Sequence, residues 1–182
     1  MLAFSISCIA IILLAAGIIY FGIKTKEYNH IKHTISELGE TGSSYEKTVS
    51  YGLFLPTGIL LCIAGLLSKH NANTAGLALV LAAGYIIAAF FPCDPGSPSS
   101  GSWKQQVHNI GGFIEYAGSI YFIMKMANDD AALWFIPYKT IGILLVAGIV
   151  LISIPNNPVR GLVQRVMETL LFSCLLQQFY MG

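Results

Sequence analysis

Polar residues are sparse enough in this chain that their clusters punctuate it. Between those clusters run six mostly apolar stretches, at positions 2–23, 48–67, 75–91, 107–127, 133–154 and 159–181. Each approaches the roughly 20 residues that an α-helix needs to cross the hydrocarbon core of a bilayer. A transmembrane β-barrel would require short segments of alternating polarity, whereas CIAIILLAAGIIYFGI is continuously apolar. The pattern therefore predicts an all-α, polytopic integral membrane protein: one domain over residues 1–182, built as a bundle of six transmembrane helices. No internal repeat or long linker divides it. The first stretch has no basic residues ahead of it and is too long for a signal peptide's apolar region, so it is expected to persist as a span.

Composition sharpens this picture. A mean hydropathy of +0.68 with 10% charged residues lies outside the range of soluble globular proteins. A net charge of +1 and the lack of any basic run argue against a nucleic acid partner. Membrane lipids are the expected partners, and a homodimer would be one way to complete a pathway through so small a protein. Cys8, Cys62, Cys93 and Cys174 are scattered without a CxxC, so no disulfide is expected.

With six spans, the first, third and fifth connections share one side. Lys24, Lys26, Lys32, Lys47, Lys104, Arg160 and Arg165 lie on or near that side; Lys69, Lys125 and Lys139 lie on or near the other. The positive-inside rule then places the protein in the cell membrane as a multi-pass chain, with those three connections cytoplasmic and both termini outside. Three polar features share the same side: HTISELGE, FPCDPGSPSSGSW and NNPVRGLVQRVMET. Their coincidence is the main functional signal.

Each feature has a functional and a plainer reading. His30, His33 and Glu37 stand at i, i+3 and i+7, one face of a helix, and could ligate a divalent metal such as zinc. They could equally belong to a solvated interfacial helix ending at Gly39. Pro92, Pro95 and Pro98 stiffen the loop around Asp94, which either presents a carboxylate or simply forms a turn. His108 and Glu115 lie two turns apart on the fourth span. An ionisable residue near mid-span costs on the order of a few kcal/mol and marks either function or an internal pair. On the sixth span Gln164, Arg165 and Glu168 are spaced to satisfy one another, or Arg165 reaches across to Glu115.

The order of HTISELG, FPCDPG, a histidine with GG opening the fourth span, and GLVQR in the last resembles an uncharacterised family of six-span bacterial and archaeal membrane proteins, classed as a domain of unknown function. The resemblance covers nearly the whole chain and implies fold and membrane location but no activity. A more distant likeness is to DRAM-type and GPI-anchor lipid-remodelling proteins, whose first connection reads ISDTG. Ile35, Ser36 and Gly39 match, and Glu37 stands in place of the aspartate.

These readings converge on a polar pocket near one membrane face, lined by His33, Glu37, Asp94, His108 and Glu115, that binds a lipid headgroup or other amphiphile. Whether it hydrolyses or transfers an ester is left open. For that chemistry His33 or His108 would be the base and Asp94 the orienting acid. Ser36 is the nearby nucleophile, and Ser36, Glu37, Glu115 and Arg165 would contact substrate. Two alternatives stand: a small ion- or proton-coupled carrier using Glu115, Arg165 and Glu168, and a non-catalytic assembly protein.

Overall fold

The computed structural model describes residues 1–68, 71–127, 132–154 and 156–181; Lys69 lies outside the described residues. Among the described residues six long helices form: α1 (Leu2–Lys24), α2 (Glu46–Leu67), α3 (Ala72–Phe90), α4 (Trp103–Met126), α5 (Tyr138–Ser153) and α6 (Arg160–Met181). The expected all-helical bundle is present. By length and apolarity, α1, α2 and α3 are able to cross a membrane; α5, at 16 residues, is shorter. A membrane protein follows from those three helices.

Helix starts track local capping chemistry. The Asn71 side chain accepts from the N–H groups of Asn73 and Thr74 at 3.0 and 3.2 Å, beginning α3 three residues before the apolar run. Ser102 accepts from Gln105 N at 3.2 Å and begins α4 at Trp103, within the polar segment. The fifth stretch was expected to begin at 133, but Ala132–Leu133 and Ile136–Pro137 form a two-residue antiparallel ladder instead. Trp134 turns that hairpin with φ of 56°, and α5 follows Pro137. Aromatic and β-branched residues kept the apolar run continuous while the backbone reversed.

Neighbours in sequence are neighbours in space. α1 packs on α2, α2 on α3, α3 on α4, α4 on α5 and α5 on α6; α6 returns to α1, and α3 meets α6 across the ring. Leu77, Leu81, Ile123, Ile141, Leu171 and Leu175 are fully buried between them. The Phe4 and Tyr180 rings lie 5.8 Å apart, so the two termini share one end of the bundle. The first, third and fifth connections share the other. Thr41 N donates to Cys93 O at 2.8 Å, Gly96 N to Glu40 Oε2 at 2.8 Å, and Leu162 N to Ile31 O at 2.9 Å.

Close approach of α2 and α3 depends on Gly58. A Cβ there would stand 3.0 Å from Ala82 O and 3.1 Å from Ile86 N, both backbone atoms that cannot yield independently. Gly58→Leu should destabilise the bundle by roughly 1–3 kcal/mol through overpacking. This would be read as a lower thermal midpoint of the detergent-solubilised protein. Gly52→Leu is the control, because a Cβ at Gly52 meets only Thr48 of its own helix.

Candidate functional site

The first connection is organised by α6. Arg165 Nη1 donates to the carbonyls of His30 and His33 at 2.8 and 2.9 Å, and Nη2 donates to Tyr28 Oη at 2.6 Å and to His30 Nδ1 at 3.0 Å. Tyr28 in turn donates to Thr34 O at 2.8 Å. Burial pushes the Tyr28 phenol up to about 12, the nearby guanidinium opposing the shift, so it stays a donor. One residue along, Ile35 N donates to Gln164 Oε1 at 2.7 Å. Gly161 lets the loop lie this close, since a Cβ there would fall on the His33 carbonyl.

The expected metal face on this segment does not form. Only Ser36–Gly39 is helical, a single 3₁₀ turn, so His30, His33 and Glu37 share no helix face. Asn29 redirects the chain: its side-chain oxygen accepts from Ile31 N and Lys32 N at 2.9 and 3.2 Å, while its own N–H donates to His33 Nδ1 at 3.0 Å. Glu37 Oε1 accepts from the Thr34 N–H and hydroxyl at 2.8 and 2.9 Å. Among the described residues no three His, Cys, Asp or Glu side chains are grouped to hold a metal ion.

The catalytic trio is likewise dispersed. Asp94 accepts from Ser102 N and Ser102 Oγ, each at 2.7 Å, and these bonds hold its carboxyl below the usual aspartate range. It is a loop clasp, not an acid that orients a histidine. His108 Nδ1 lies 2.9 Å from Phe91 O, closing α3 onto α4. His33, Asp94 and His108 thus take separate partners, and no described hydrogen bond joins Ser36 to a histidine.

The three polar segments nevertheless enclose a cavity of about 590 Å³. Ser36 from the first connection, Ser97 and Ser99 from the third, and His108 and Glu115 on α4 line it, as do Arg160 and Gln164 on α6. Of the expected site residues, Ser36, His108 and Glu115 therefore come together, with His108 and Glu115 on one face as their spacing required. His33, Glu37, Asp94 and Arg165 are not part of its lining; they shape the loops around it. Arg160, counted above only as a charge, joins the walls: it donates to Ile152 O and Gly96 O at 2.9 Å each, and to Ser97 O.

A second cavity of about 20 Å³ adjoins the first, sharing Ser36, Gly84, Glu115 and Gln164 with it and reaching Glu168. Here Arg165 does not meet Glu115. Glu168 instead shares the smaller cavity with it. Glu168 also accepts from Tyr116 Oη at 2.7 Å and Tyr85 Oη at 3.0 Å, and Gln164 Nε2 donates to Tyr116 Oη at 3.2 Å. Gly84 makes room, because a Cβ there would fall on the Glu115 carboxyl. Tyr85 and Tyr116 carried no signal in the sequence. Arg160, Gln164 and Glu168 did, at i, i+4 and i+8 along one face of α6.

A family model described as "Protein of unknown function (DUF998)" matches residues 8–176. No curated protein and no solved structure matches, so the likeness to lipid-remodelling proteins gains no support there.

The Arg165 clasp is sensitive to acid. Burial, with Arg165 adding to it, lowers the His30 pKa, and a protonated Nδ1 could no longer accept from Arg165. A depressed histidine contributes its full stability above its unfolded value of about 6.5, and that contribution declines as pH falls through it. Amide protection factors over residues 28–35, taken relative to the intrinsic exchange rate at each pH, should therefore fall between pH 7.5 and 5.5, read by hydrogen–deuterium mass spectrometry. His30→Gln should flatten that dependence.

Proposed function

Because the chain belongs to the DUF998 family, whose description names no activity, we propose from the geometry of its cavity that it binds an amphiphile, polar head inside and apolar tail toward the lipid. The observation that carries this reading is a lateral opening. Phe113 and Ile154 both line the cavity, and they are 69% and 46% exposed. The space between the loop-facing ends of α4 and α5 thus communicates with the surface that hydrocarbon would cover.

The walls grade in the same sense. Ser97, Asn109, Asn156 and Arg160 bring polar groups at the loop end, while Ala88, Ile149 and Ile152 supply apolar surface. A volume of about 590 Å³ falls within the range of pockets that enclose a small molecule or headgroup. Ser36, His108 and Glu115 would contact the head, with Asp94, Glu37, His33 and Arg165 holding the loops over it.

Membrane placement of all six helices belongs to the same proposal. α4 turns Ile110, Phe113 and Tyr121 outward and buries Gln105, Glu115 and Ser119; α6 turns Leu162, Val166 and Tyr180 outward and buries Glu168. Polar groups inside and apolar groups outside suit a lipid solvent. The basic residues near the cavity end favour a cytoplasmic face in the cell membrane. Among the described residues hydrolysis or transfer has no nucleophile–base pair to support it, so the reading stops at binding.

Gly112 provides a clean test. It lines the cavity, and a Cβ there meets nothing within 4 Å. Gly112→Leu should fill the space without straining the fold and hold or raise the thermal midpoint, since glycine is a poor helix former. Retention of co-purified lipid, measured by native mass spectrometry, should weaken roughly tenfold or more, about 1.4 kcal/mol. Equal retention in the variant, or none in the parent protein, would sink the proposal.

A further inference from the structure

Glu115 and Glu168 face one small cavity with unequal sets of partners. Glu168 accepts phenolic protons on both oxygens, from Tyr116 on Oε1 at 2.7 Å and from Tyr85 on Oε2 at 3.0 Å. Two phenol donors of this kind stabilise negative charge on Glu168. Glu115 lines the same small cavity as Glu168, and two carboxylates cannot share so confined a space away from water without a proton between them. The pair therefore holds one proton, and the side less supplied with donors is Glu115. Its residue is only 8% exposed and its Oε1 is buried without a partner, while its side chain lines both cavities.

We propose that Glu115 and Glu168 together form a one-proton site, loaded and unloaded through the cavity from the loop end of the bundle alone. Loading forms an O–H bond on Glu115 and breaks one on hydronium, which leaves as water; unloading is the reverse. The groups facing the pair support a route on one side only. Toward the loops stand Gln164 and Arg160 on α6, His108 on α4 and Ser36 on the first connection, all lining the open cavity. Tyr85 on α3 and Tyr116 on α4 flank the pair, and α2 contributes only Phe54. Arg165 faces away, into the first connection. Toward the termini, beyond buried Ser119, the helices close through the fully buried Leu77, Leu81, Ile123, Leu171 and Leu175.

A consequence is proton-linked occupancy: a cationic or basic head reaching Glu115 Oε1 would displace the shared proton into the cavity. The site itself needs the cavity but not an amphiphilic occupant, so it can stand or fall independently of the binding proposal.

Infrared difference spectroscopy of the full chain in lipid nanodiscs at neutral pH would test it, with transfer from H₂O to D₂O. The expected result is a protonated-carboxyl C=O band that shifts in D₂O, is lost in Glu115→Gln, and persists in Gly112→Leu with a slower shift. Absence of the band in the parent protein, or its survival at full intensity in a folded Glu115→Gln protein, overturns the site. An unchanged shift rate in Gly112→Leu overturns the route. If Glu115→Gln fails to fold, Glu115→Asp takes its place: it keeps a protonatable carboxyl and should move the band in frequency, and an unmoved band overturns the site.

Discussion

A single guanidinium, Arg165, holds the polar end of the molecule together. Its oxygen partners are the carbonyls of His30, His33 and Gly161 and the phenol of Tyr28. Charge-assisted bonds of this kind are stronger than neutral ones, and here several of them converge on one short stretch of chain. They pull the first connection over α6, which lets Ile35 N find Gln164 and sets Ser36 above the cavity. Arg160 does the same for the third connection, joining Gly96 and Ser97 to the end of α5. Two arginines spaced five residues apart on α6 therefore gather two loops that are distant in sequence.

What this gathering produces is a cavity whose lining was chosen by backbone anchoring more than by side-chain reactivity. His33, Asp94 and Glu37 look chemical in the sequence, yet each is occupied with a nearby turn. Such local bonds fix loops without helix or sheet. Of the residues that look chemical in the sequence, Ser36, His108 and, at the inner end, Glu115 are left facing the space, with a hydroxyl-bridged network behind them.

The broad plan was legible in the sequence because a bilayer forces backbone polar groups to be satisfied within a helix, which makes apolar runs easy to see. The shared side of the three polar segments was legible for the same reason, since helices alternate in direction. His30, His33 and Glu37 misled because helical spacing is meaningful only if the backbone is helical, and Asn29 captures two of its N–H groups. Tyr85 and Tyr116 were invisible because their role arises from meeting Glu168 across three helices. Glu115 and Glu168 stood out as ionisable residues within apolar runs, but their pairing depended on helix order, which no local pattern reveals.

One turn of α2 gives that helix a double allegiance. Ser50–Phe54 is a π turn, which holds one more residue than an α turn and so offsets the faces before and after it. Leu53 packs where Gly17 of α1 leaves no side chain, while the next residue, Phe54, turns to the Tyr85 ring at 6.0 Å and walls the smaller cavity. A regular helix presents one stripe to one set of neighbours. With the extra residue, α2 serves as a hinge pin shared by two assemblies: it binds the peripheral first helix with one residue and seals the polar interior with the next.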